Sequence, residues 1–251
     1  MPHPHRAQAQ QTHQRQQMPQ LHGVAHTLYL PMVVRAQAAV LCPWLDPQDQ
    51  IARDTLDIKS AGVESAASFV STALVTGCRT ARVEARLTLT GEGAFGEAGG
   101  ALLTRGGEKA DSATVADHAA PEGTSRQIWR AVAADTSTAS IASRAAVRRD
   151  AQKTDGEQSL RGLLLKRTAT VNLKPELEIF ADDVRCTPGA TVGRLDDNAL
   201  FYLRSRGIPL GESRTMLIDA FVREITDAIA PASLRDHIAA LIEVAARRSQ
   251  P

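Results

Sequence analysis

The stretch ATVNLKPELEIFADDVRC, Ala169 to Cys186, alternates with period 2. Val171 and Leu173, then Leu177 and Ile179, fall on one side of an extended chain, and polar or charged residues fall on the other. The same texture fills ARVEARLTLT, Ala81 to Thr90, where Val83, Ala85, Leu87 and Leu89 oppose Glu84, Arg86, Thr88 and Thr90. Short strands separated by Gly- and Asp-containing turns recur from about residue 80 to 192 without helical interruption. A sandwich, a barrel or a parallel β-helix suits such a run. Small side chains and the lack of two-residue hairpin signals such as Asn-Gly favour the β-helix, in which each coil stacks its small apolar residues on the next.

The bulk numbers agree with a packed body. The chain has 251 residues, 43% of them hydrophobic but only 4% aromatic, so the core must be built from Ala, Val, Leu and Ile in closely approaching layers. Net charge is +1, which leaves no global field to gather nucleic acid or a membrane surface. Cys42, Cys78 and Cys186 lie far apart with no C-x-x-C pair, arguing against a disulfide framework and a self-contained zinc site and for a reducing, cytoplasmic setting. No stretch approaches the roughly 20 continuous apolar residues that span a bilayer. LYLPMVV, Leu28 to Val34, is broken by Pro31 and follows a polar tract, unlike a signal peptide.

Four regions follow. Residues 1–26 are Gln- and His-rich and read as a disordered leader. Residues 27–79, punctuated by Pro31, Pro43 and Pro47, read as irregular or atypical. Residues 80–194 form the β-helix core. Residues 195–248 form a C-terminal helical unit: Asp196 caps a helix through DNALFYLRSR that Gly207 and Pro209 stop. A second helix, about Glu212 to Ile229, puts Met216, Phe221, Ile225 and Ile229 on one face, and Ser233 caps a third through LRDHIAALIEVAARR.

Three stretches carry a family signature: DHAAPEGTSRQIWRAV (Asp117–Val132), DAQKTDGEQSLRGLLLKRTATVNLKPELEIFADDVRCTPGATVGRLD (Asp150–Asp196) and NALFYLRSRGIPLGESRTMLIDAFVREI (Asn198–Ile225). They resemble the SufB/SufD family of iron-sulfur cluster assembly scaffolds, nearer its SufD than its SufB members. The resemblance implies a right-handed, single-stranded parallel β-helix followed by a helical domain. It implies a cytoplasmic complex in which a SufB-like and a SufD-like subunit pair through their β-helices, a SufC-like ATPase docks on the helical unit, and an iron-sulfur cluster forms transiently at the interface. The scaffold itself is expected to be no enzyme.

The same comparison exposes departures. SufD relatives usually read C-[ST]-H-G-A-T at the Cys186 motif, and the resemblance implies that this histidine faces the SufB cysteine that helps hold the nascent cluster; here that position is Pro188, which offers iron no lone pair. A second family histidine, in H-A-x-P-H, is Glu122 here, while His118 is retained. Relatives are also longer and begin with a helical domain, so residues 27–80 supply an unusual cap or the chain is a truncated or degraded copy.

Cys186 therefore reads two ways. It is a thiolate ligand or persulfide acceptor helped by Arg185 and Arg194, or a small buried residue closing a coil, the reading that Pro188 favours. His118 is a candidate for the subunit interface or a hydrogen-bonded structural residue. Glu176 and Glu178 share a face and read as an exposed ladder answering Lys174. Leu200, Phe201, Tyr202, Leu203, Arg206, Met216 and Phe221 are candidates for the partner-docking face. The alternatives to a scaffold are a non-functional paralogue and a carbohydrate-active β-helix enzyme, for which Asp182, Asp183 and Arg185 are the nearby candidates.

Overall fold

A computed structural model describes residues 24–30, 37–41, 54–227 and 232–248, with side chains from residue 60 onward except that of residue 234. Among the described residues twelve strands alternate between two six-stranded sheets, and every pairing is parallel. The first sheet holds β1 (Val24–Leu30), β3 (Asp54–Val63), β5 (Thr80–Leu89), β7 (Lys109–His118), β9 (Thr138–Val147) and β11 (Thr170–Ile179). The second holds β2 (Gln37–Leu41), β4 (Ser68–Thr76), β6 (Phe95–Thr104), β8 (Thr124–Ala133), β10 (Thr154–Leu164) and β12 (Val184–Arg194). Each strand thus pairs with the next but one in sequence, the signature of a β-solenoid, here of about 5 turns. Thr80 pairs with Lys109 and Lys109 with Thr138, so successive coils repeat every 29 residues at the centre of the body.

The expected parallel β-helix holds, and it begins earlier than the alternation suggested. Residues 27–79, expected to be irregular, contain β3 and β4, whose strands stack on β5 and β6. β4 hid from a period-2 reading because both its faces are covered: Ala73 and Val75 enter the lumen cluster, while Leu74 packs under the helical unit. In β3 the register aligns Asp57 and Lys59 with Val83 and Ala85, so polar residues take the apolar parity. The Gln/His-rich residues 1–26 lie outside the described residues except for the last three, which open β1.

Within the coils small residues stack in columns, as the alanine content requires. Ala81, Ala110 and Ala139 are in register, as are Leu89, His118 and Val147. The turns stack too. Ala66, Gly93, Glu122 and Lys153 occupy one turn position in consecutive coils, all with positive φ. Each donates its N–H to a carbonyl of the next coil: Glu92, Pro121, Gln152 and Asp183, at 2.6–3.2 Å.

After β12 the chain becomes helical. Asp196 caps α1 (Asp197–Ser205) by accepting from the Asn198 N–H at 2.8 Å, as the sequence indicates. Gly207, at φ 85°, ends it: Gly207 donates to the Arg204 carbonyl and Ile208 to that of Leu203, the Schellman pattern. α2 (Leu210–Arg223) leads into a 3-10 turn (Glu224–Thr226), and α3 (Ala232–Arg248) follows.

α2, the turn and α3 lie on the outer face of the second sheet. Ile218, Val222, Ile225, Ile238, Ile242 and Ala245 pack there on Leu74, Ala101, Leu103, Val132 and Leu163. The buried face of α2 is therefore Ile218 and Val222 running on to Ile225. Met216, expected on it, is exposed.

Candidate functional site

Among the described residues β11 and β12 end their sheets, each paired on one side only, so the last coil leaves the lumen open as a mouth. Along the lumen runs a buried polar column that the sequence reading missed. In the first sheet Thr114 and Ser143 are in register; in the second, Gln127 and Gln158 are. The Thr114 and Ser143 hydroxyls donate to Gln127 Oε1 at 2.8 and 2.5 Å, and Gln158 Nε2 donates to Ser143 Oγ at 3.0 Å. Gln127 and Gln158 also donate to the Arg144 and Glu176 carbonyls.

The column stops at the mouth against two prolines. Ser143 is in register with Pro175, and Gln158 with Pro188. Edge strands tolerate proline because one side of the strand has no ladder to break. Gln158 Oε1 is buried without a hydrogen-bond partner. Pro188 has no N–H to offer it.

Cys186 sits one coil beyond Gly156, which in turn follows Ser125. Its Sγ lies 3.2 Å from where a Cβ on Gly156 would be, and Ser125 Oγ lies 3.7 Å from the same point. A glycine at 156 is what lets the half-buried thiol turn into the lumen, where it packs near Val147, Ala151 and Ala181. Burial pushes the thiol up from its ordinary value, the Asp155 charge adds to that, and the backbone of Gly156 opposes it. Arg185, expected to favour the thiolate, is exposed and in register with Asp155, on the opposite side of the strand from Cys186.

His118, considered for a subunit interface, is fully buried in the lumen. Its Nε2 meets Ser125 Oγ at 2.8 Å, and Nδ1 has no hydrogen-bond partner. Burial lowers its pKa to about 4 against the pull of Asp117 and Asp155, so the ring is neutral at neutral pH. Glu122, at the second family histidine position, is instead a turn residue at φ 58°, paired with Lys153 at 2.8 Å in solvent.

Glu176 pairs with Lys174 at 2.5 Å and Glu178 with Arg144, so the expected exposed ladder is present. Asp182 and Asp183 occupy the turn between β11 and β12 and are exposed. Among the described residues no three His, Cys, Asp or Glu side chains converge as metal ligands. Among the described residues, too, no helix is long and apolar enough to cross a membrane.

The docking candidates divide. α1 has no buried residue: Phe201 and Tyr202 are 74% and 56% exposed, with Leu200 and Leu203 half-buried. Arg206 lies 5.0 Å from the Tyr202 ring centre and donates to its hydroxyl. Met216 lines an open groove between α2 and α3 with Glu212, Thr215, Asp219 and Arg223. Phe221 faces inward, packed against the cluster that joins the helices to the second sheet.

These features define a parallel β-solenoid protein with a helical unit seated on one sheet and one end of its lumen open. Residues 8–221 match the family described as SUF system FeS cluster assembly, SufBD core domain, and the chain belongs to that family. It is 41% identical over 135 residues to the iron-sulfur cluster assembly protein SufD of Escherichia coli (strain K12), covering 54% of this chain and 32% of that protein. It is 40% identical over 126 residues to the chloroplastic protein ABCI7 of Arabidopsis thaliana, covering 50% and 26%. A SufBD family iron-sulfur cluster assembly protein of Mycobacterium leprae is 28% identical over 221 residues, 84% of this chain and 56% of that one. The chain therefore spans about a third or less of the length of the first two relatives. The expected membership, nearer SufD, holds.

Proposed function

We propose that the chain is a non-catalytic, cytoplasmic scaffold subunit of a Suf-type iron-sulfur cluster assembly complex, pairing with a SufB-like subunit at the solenoid mouth and with a SufC-like ATPase through its helical unit. The observation that carries this reading is the family match over residues 8–221, which takes in the coils, the mouth and most of α2. The mouth supports the first contact, because β11 and β12 present free edges and half-buried apolar residues that a neighbouring solenoid end covers. α1 supports the second, because its aromatic pair contributes nothing to the chain's own core.

The cluster is cargo in this reading. Cys186 is the soft ligand this chain brings to the mouth, and Pro188 removes the imidazole that relatives place beside it, so the remaining ligands come from the partner. Co-purification of the full chain with a SufC-like ATPase and a SufB-like subunit is the direct test, and failure of both to bind at micromolar concentration refutes it. Given assembly, Pro188→His is expected to raise cluster yield in the reconstituted complex. An unchanged yield removes position 188 from the cluster chemistry.

A further inference from the structure

The helical unit is seated over two rows of charge on the second sheet. In one row Arg130 and Arg161 are answered by Glu224 of the 3-10 turn, at 2.6 and 3.4 Å. The other is the row Glu97 of β6, Arg126 of β8 and Glu157 of β10, aligned by register. β4 supplies only Val70 to it, an uncharged neighbour.

This second row does not balance. Arg126 is half-exposed and shared with Glu157, at 3.6 Å. The charged group brought near Glu97 from the helical unit is Asp227, another acid, next after the 3-10 turn. Glu97 is nevertheless only 4% exposed. An ionised carboxylate there is dehydrated, flanked by two acids and served by one already committed arginine, whereas a protonated carboxyl is repelled by neither acid and loses far less on dehydration.

We propose that the helical unit is latched onto the solenoid by a proton on Glu97, so that its seating over β6 is tight in mild acid and loosens as the proton leaves. Burial raises the Glu97 pKa from 4.5 to about 7; Arg126 opposes the rise, and Glu157 and Asp227 add to it. An acid whose value is raised in the seated state binds a proton that the unseated state releases. Its contribution to seating is therefore full below about 4.5 and lost as pH rises through 7. Between pH 5 and 8 the ratio of seated to unseated molecules falls on the order of fiftyfold.

Hydrogen exchange of the full chain, read on α2 peptides at pH 5 to 8 and corrected for intrinsic exchange, tests this. Protection is expected to fall on the order of fiftyfold across the range in the wild type and to stay near its acid-side level in Glu97→Gln. The same pH dependence in both proteins overturns the proposal. Should Glu97→Gln not fold, a carbon-13 titration of the Glu97 carboxyl in the wild type decides: a midpoint near 7 supports the latch, and one at the ordinary carboxylate value overturns it.

Discussion

Replacing Glu224 by glutamine removes one charge and little volume, yet it exposes how the helical unit is held. Arg130 is completely buried, and its guanidinium donates to the Trp129 and Ser159 carbonyls at 2.7 and 2.8 Å and to Ser159 Oγ at 3.2 Å. Those three bonds belong to the solenoid and survive the substitution. What is lost is the carboxylate 2.6 Å from Nη2, the anion that neutralises a cation with no water around it. Removing one partner of a buried pair costs about 3–5 kcal/mol. The Glu224 side chain is 41% exposed, so solvent screens part of the loss, and about 2–3 kcal/mol is expected. Urea unfolding at pH 7 measures it, with an unchanged denaturant slope showing that the native fold is retained. Lys153→Gln, which breaks the solvent-exposed pair with Glu122, serves as the control and should cost little. In a double-mutant cycle with Arg130→Met, which withdraws the buried charge itself, the two residues should couple by more than about 1.5 kcal/mol. A cost for Glu224→Gln no larger than that of the Lys153 control would refute the reasoning, since Arg130 would then be satisfied by the solenoid alone.

Other perturbations test other parts of the structure. A Cβ on Gly100 would sit 2.1 Å from the Ala73 carbonyl oxygen, backbone against backbone, so Gly100→Ala should lose about 3 kcal/mol or more in a thermal or urea melt. Ala66 sits at φ 53° in the turn stack where the next coil uses Gly93, and Ala66→Gly should raise stability by up to about 1 kcal/mol. With its thiol pushed up by burial and Asp155, Cys186 should alkylate at pH 8 more slowly than a free cysteine, followed by peptide mass; faster labelling would contradict the placement. Burial pushes the Glu224 carboxyl up, but the hydrogen bond and charge of Arg130, with Arg161, outweigh this and hold it below its ordinary value. The stability it confers is present above about pH 4.5 and lost as pH falls through the lowered value, so with Glu97 acting in the opposite sense, a pH series of melts should show greatest stability in mild acid.

The β body was legible because one face of each central strand of the first sheet is lumen and the other is solvent, which writes period 2 into stretches such as Ala81–Thr90. The signal failed where that asymmetry fails. β4 is covered on both sides, and α2 shows the same kind of error, since Met216 and Ile218 are only two residues apart and both apolar, and packing on the sheet rather than hydropathy decides which is inside. The polar column was hidden for a different reason. Gln127 shares its parity with Trp129 and Ala131, so its inward direction could have been read from the strand alone, but its meeting with Thr114, Ser143 and Gln158 depends on the stagger of four strands.

Cys186 makes the same point about the site. Sequence adjacency to Arg185 suggested an activated thiol, but neighbours along a strand face opposite ways, and the groups that set the thiol's environment lie a coil away, at Gly156 and Asp155. Pro175 and Pro188 then close the polar column from both sheets, so the mouth presents a thiol disfavoured as thiolate and no imidazole beside it. On the proposed reading, a partner that binds here must supply more than further ligands. It must also bring positive charge or a metal ion close enough to Cys186 to offset burial and Asp155, because ligation by sulfur requires the proton to leave.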